Sequence, residues 1–120
     1  MVVDLSFDDP ALPEALVLAT EEELKRAPFG VVRMEPSGRV TLYNDAEQRL
    51  SGLSERQTLG KNFFSDVAPC TNNFMVAEKY RREELDEVQG YVFTFAMEPR
   101  EVTLRMIRRG ELLYLLVQLV

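Results

Sequence analysis

The chain has 120 residues, the size of one domain and enough to bury a core without disulfides or a structural metal. Its formal net charge of -6 argues against nucleic acid as a partner. Its apolar runs fall far short of the roughly 20 residues of a membrane span, and its start, MVVDLSFDDP, lacks the basic and apolar regions of a signal peptide, so the expected location is cytoplasmic.

Residues 1–27 read as a peripheral cap segment and 28–120 as the domain it covers. Pro10 and Pro13 interrupt the segment, Leu12, Leu16 and Val17 have the spacing to pack on a neighbour, and Thr20 with Glu23 forms a capping-box pattern opening a short acidic turn, Glu21 to Lys25. Phe29 to Glu35 and Arg39 to Tyr43 are β-prone runs joined by Pro36-Ser37-Gly38, which predicts a hairpin. Asn44 followed by Glu47 is a second capping-box pattern and predicts a helix from Asp45 to about Ser51, stopped by Gly52. Ser54 with Gln57 repeats the logic for a helix ending at Gly60. Residues 61–70 read as a loop rich in apolar side chains. The spacing of Phe74, Ala77, Tyr80, Leu85 and Val88 predicts a helix over about 73–88 with a charged outer face. The rest is strand: Tyr91, Phe93, Phe95 and Met97 alternate, as do Val102, Leu104 and Met106, and Leu112 to Val120 is almost wholly apolar after a turn at Arg109-Gly110-Glu111. Two strands, several short helices and three strands predict an α+β fold of PAS type: a five-stranded antiparallel sheet with short helices on one face and an N-terminal cap.

The sequence contains no histidine, which excludes Ser-His-Asp and Cys-His catalysis and nearly all catalytic zinc sites. It has one cysteine, Cys70, so neither an internal disulfide nor a cysteine metal cluster can form. An enzyme is not expected, and chemistry at this chain falls to carboxylates, tyrosines or a single thiol. Glu47, Leu50 and Ser51 share a helix face, so an inward Leu50 brings Glu47 and Ser51 with it. Two readings of Glu47 follow. It is either the exposed, ionised partner of the Asn44 capping box or a buried carboxyl kept protonated by desolvation.

Residues 60–71, GKNFFSDVAPCT, are unlike generic core sequence and resemble the chromophore-attachment segment of the photoactive yellow protein family. Tyr43-Asn44 and Glu47 upstream, and Tyr91, Phe93 and Met97 downstream, stand at that family's spacing. The resemblance implies a blue-light photoreceptor that carries p-coumaric acid as a thioester on Cys70. Tyr43 and Glu47 would be hydrogen-bond partners of a buried phenolate, and Ser51, where threonine is usual, would support Tyr43. Phe63, Phe93 and Met97 would line the pocket, and the Cys70 backbone would donate to the thioester carbonyl. Trans–cis isomerisation followed by proton transfer from Glu47 would drive partial unfolding as the signal. The sequence departs from the family at Leu53, where an arginine usually covers the phenolic ring, at Phe95, where tyrosine is common, and in a shorter connection from Cys70 to Tyr91. The implied output is a downstream signalling protein, with no membrane partner, and the chain is expected to be a monomer or weak homodimer. Two other functions are a PAS interaction module that binds no chromophore and a thiol redox sensor. The second is disfavoured because Pro69 and Thr71 bring no positive charge to Cys70.

Overall fold

The computed structural model describes residues 5–95 and 98–120. Five strands form one antiparallel sheet in the order β2-β1-β5-β4-β3: β1 (Gly30–Met34), β2 (Val40–Tyr43), β3 (Glu84–Phe95), β4 (Glu98–Arg109) and β5 (Leu112–Leu119). The turn residues act as their chemistry requires, with Gly38 between β1 and β2 and Gly110 between β4 and β5 both at positive φ. The helices are short: α1 (Leu12–Leu18), α2 (Glu21–Lys25), α3 (Asp45–Ser51) and α4 (Glu55–Thr58). The expected capping boxes of Thr20–Glu23 and Ser54–Gln57 are both formed.

Strand alternation builds two cores on opposite faces of this sheet. Val32, Tyr43, Met106, Leu113 and Leu115 point to the face that holds Phe63, Tyr80 and Phe93. Their strand neighbours Val31, Leu42, Ile107, Tyr114 and Leu116 point to the other face, under Leu5, Phe7, Leu12, Leu16 and Leu24 of the N-terminal segment. Burial on both sides accounts for the nearly unbroken apolar run of β5. Within the N-terminal segment Leu12 and Leu16 are buried as expected, but Val17 is 45% exposed, because α1 turns that side to solvent.

The helix expected over 73–88 does not form. A 3-10 turn covers Ala77–Arg81, and the chain enters β3 at Glu84. Of the apolar residues that suggested a helix, Tyr80 and Leu85 are buried while Phe74 and Val88 stand out in solvent. The competing demand is the twelve-residue strand β4, whose open edge needs backbone partners. Residues Glu84 to Gln89 supply them, paired with Arg109 to Leu104.

One buried cation fastens the N-terminal segment to the sheet. The Arg105 guanidinium forms a two-pronged pair with Asp86, at 2.8 Å for each bond. It also donates to the carbonyls of Phe7 at 2.8 Å and Asp9 at 2.7 Å. Removing it takes the side-chain partner from the Phe7 carbonyl and the exposed Asp86 carboxylate, while the Asp9 carbonyl keeps the Leu12 N–H, so Arg105→Ala should lower unfolding free energy by about 2 kcal/mol. Asp86→Asn, which keeps the carbonyl bonds, should cost about 1 kcal/mol. Urea unfolding of the two variants would measure both, and equal losses would mean that the carbonyl contacts contribute nothing.

Candidate functional site

The site begins where β2 ends. Asn44 caps α3, its Oδ1 accepting from the Glu47 backbone N–H at 3.0 Å. The return half of the expected capping box is missing, because the Asn44 N–H is already spent on the Val31 carbonyl in the sheet, at 3.1 Å. The Glu47 side chain is therefore not drawn outward and is fully buried. Both of its carboxyl oxygens lack a hydrogen-bond partner among the described residues. Gly30 makes the space, since any Cβ at that position would overlap Glu47 Oε1. No sequence signal marked Gly30 for this role.

Tyr43 stands beside this carboxyl, fully buried, and donates to Ser51 Oγ at 2.7 Å. The same Oγ accepts from the Leu53 N–H at 3.1 Å, so Ser51 is held from two sides. Desolvation pushes Glu47 up to about 8, with the neighbouring Tyr43 hydroxyl pulling the other way. Desolvation first and the Glu47 carboxylate second push Tyr43 above the usual phenol range, against the lowering effect of its bond to Ser51. At neutral pH both groups hold their protons.

Cys70 is positioned by the segment before it. Asn62 Oδ1 accepts from the N–H groups of Phe64 and Ser65, and its amide donates to the Ser37 carbonyl at 2.9 Å, tying the segment to the β1–β2 turn. One π-helical turn, Phe63–Val67, and one 3-10 turn, Pro69–Thr71, follow where a loop was expected. The Cys70 carbonyl accepts from Asn73 Nδ2 at 2.9 Å and from the Tyr91 hydroxyl. The Tyr91 ring packs edge-on against Phe93, with centroids 5.6 Å apart. Asn73 was missed as a site residue, and Tyr91 was visible only as a match in the family pattern. The thiol itself is half-buried.

The expected site residues are thus gathered on one side of the sheet. Tyr43, Phe63 and Phe93 belong to a single core cluster, and Cys70, Leu53 and Tyr91 pack against it. Glu47 and Ser51 join through Tyr43. Met97 and the side chain of Phe95 lie outside what the structure describes. Leu53 covers the cluster with apolar contact where the family pattern has a cation. Among the described residues no three acidic or sulfur side chains are grouped to hold a metal ion, and no helix is long and apolar enough to cross a membrane.

The buried proton has a consequence for stability. The folded state holds it up to about pH 8, whereas an exposed glutamate releases it near its ordinary 4.5. Between those values the folded chain binds the extra proton, so stability falls as pH rises, by a few kcal/mol across the window. Glu47→Gln lacks this proton equilibrium. The wild type should lose stability relative to Glu47→Gln between pH 5 and pH 8 in urea unfolding, and a constant difference would mean that Glu47 is ionised throughout.

Comparison with known proteins places this arrangement. The PAS fold model matches residues 19–118. The photoactive yellow protein of Halochromatium salexigens is 31% identical over 109 residues, covering 88% of this chain and 86% of that protein. That of Rhodothalassium salexigens is 30% identical over 108 residues, covering 87% and 86%. The crystal structure of the photoactive yellow protein domain of the sensor histidine kinase Ppr from Rhodospirillum centenum superposes with a TM-score of 0.80 at 29% identity, over 88% of this chain and 98% of that domain. A PAS domain of an HTR-like protein from Haloarcula marismortui, at 11% identity and a TM-score of 0.65 over 89% of this chain and 99% of that one, shares the fold alone. With its PAS sheet, its buried Tyr43–Glu47–Ser51 group and its matches over most of the chain, the protein belongs to the PAS fold and, within it, to the photoactive yellow protein family, a family of sensory domains.

Proposed function

We propose that the chain is a blue-light sensor that carries p-coumaric acid as a thioester on Cys70. The observation that carries this reading is the orphaned Glu47 carboxyl. Buried polar atoms almost always have partners, and a protonated carboxyl with no acceptor is placed to donate to a ligand oxygen. A buried phenolic oxygen is the complement of that donor, because a phenolate without donors is costly to bury. The residues therefore fit the group. When bound, it would supply absorption of blue light and a double bond that isomerises.

The chain's own residues would do the rest. Cys70 would hold the acyl group through its thiol, with the Cys70 backbone donating to the thioester oxygen and its carbonyl fixed by Asn73 and Tyr91. Tyr43, oriented by Ser51, and Glu47 would be the two donors at the phenolic end. Phe63 and Phe93 would wall the pocket, Met97 would join them, and Leu53 would exclude water from it by apolar contact. Glu47 would hold its proton in the dark and release it after illumination. The carboxylate left behind would be buried and unpaired, a state costly enough to loosen the fold. The N-terminal segment, residues 1–27, would loosen with it, and the change would be read by a downstream signalling protein in the cytoplasm. The sensor would work as a monomer or weak homodimer.

Mixing purified protein with activated p-coumaric acid should add the mass of one coumaroyl group and produce a visible absorption band, and Cys70→Ala should show neither. Absence of an adduct on folded protein would defeat the proposal in favour of a chromophore-free PAS interaction module. In the loaded protein, hydrogen exchange over residues 5–27 should rise under blue light. Equal protection in dark and light would separate this segment from the signal.

A further inference from the structure

A groove of about 390 Å³ lies at the end of the sheet beside α3. Its apolar lining comes from Phe29, Leu50, Val117 and Leu119, and the last of these is 50% exposed. Two guanidinium groups, Arg49 from α3 and Arg100 from β4, line it, and among the described residues no carboxylate does. Four other surface arginines sit on acids, Arg26 on Glu22, Arg39 on Glu35, Arg81 on Glu78 and Arg82 on Glu87, whereas Arg56 on α4 stands alone among the described residues and does not line this groove. Arg49 and Arg100 make no ion pair or hydrogen bond among the described residues, although Asp45 lies one helical turn before Arg49. Arg49 and Arg100 thus frame a concave apolar surface on a chain of net charge -6.

We propose that this groove is a docking surface for a short acidic segment of a partner protein, with an apolar side chain of that segment seated between Arg49 and Arg100. The charge complementarity selects this occupant, since guanidinium groups recognise carboxylates through paired hydrogen bonds. The overall negative charge disfavours a nucleic acid at the same surface. The position also gives the groove a physical link to the buried carboxyl. Gly30 lines it and abuts Glu47, and Ala46 and Leu50 of the same short helix line it as well. A displacement of α3 therefore reshapes the docking surface. The docking itself does not depend on a chromophore, so it can be tested on the unloaded chain.

The test is fluorescence anisotropy with a labelled peptide of alternating glutamate and leucine. Saturable binding is expected, weakened about tenfold by Arg49→Glu with Arg100→Glu and weakened by raising salt from about 0.05 to about 0.5 M. Arg56→Glu is the control, because Arg56 is exposed on α4 and does not line the groove; its binding should match the wild type within about twofold. Each altered side chain is exposed at the surface, and circular dichroism checks the fold of all three proteins. Equal weakening by Arg56→Glu, or no saturable binding, would overturn the proposal. So would saturable binding of decanoate at the groove without binding of the peptide, since the occupant would then be a free fatty carboxylate.

Discussion

The structure depends on one buried amide. Asn44 is fully buried, and its side chain makes four hydrogen bonds. It donates to the carbonyls of Leu24 at 3.0 Å and Phe29 at 2.9 Å, and it accepts from the N–H groups of Val31 at 2.8 Å and Glu47 at 3.0 Å. Those partners lie in α2, at the entry to β1, within β1 and in α3. The N-terminal segment, the sheet and the helix that carries Glu47 therefore meet at one side chain with every donor and acceptor used. Each bond is worth only about 1 kcal/mol when made. The larger constraint is that removing the side chain takes a partner from four backbone groups in a dry interior, although the Leu24 carbonyl keeps the Ala27 N–H.

Among the described residues one arginine and one glutamate are buried, and they are treated in opposite ways. Arg105 has all its contacts: a paired carboxylate and two carbonyls hold it. It serves cohesion, because the N-terminal segment has few other polar ties to β4. Glu47 has none of its carboxyl oxygens satisfied, and desolvation keeps its proton on. A fold that satisfies an arginine so fully and leaves a carboxyl orphaned has placed its unresolved polarity at one point. Such points mark sites of function more often than errors of packing.

The position of α3 ties that point to two surfaces. Through Asn44 the helix start is bound to the carbonyl of Leu24, and so to the N-terminal segment. Through Ala46, Leu50 and Gly30 the same helix faces a groove framed by Arg49 and Arg100. A seven-residue helix is too short to be stable by itself, so its place is set by these contacts.

Much of the fold is written locally. Thr20 with Glu23 and Ser54 with Gln57 mark helix starts because a cap is satisfied within three residues. Pro36-Ser37-Gly38 marks a hairpin because its turn needs a glycine at positive φ. The alternation of Val102, Leu104 and Met106 marks a strand because one face must be apolar. The segment around Cys70 identified the family outright, and Tyr43, Ser51, Phe63 and Phe93 were legible beside it. What the sequence left open was settled by partners distant in the chain. Glu47 could cap its own helix or turn inward, and the choice fell to a Val31 carbonyl that took the Asn44 N–H and a Gly30 that left room. Residues 84–89 had an apolar spacing that also suited a helix, and the open edge of β4 made them strand. The anchoring of Cys70 by Asn73 and Tyr91, and of Phe7 and Asp9 by Arg105, joins residues far apart in sequence or in different turns. Local chemistry fixes where elements begin and which face is apolar; only the assembled sheet decides which buried polar group finds a partner and which is left without one.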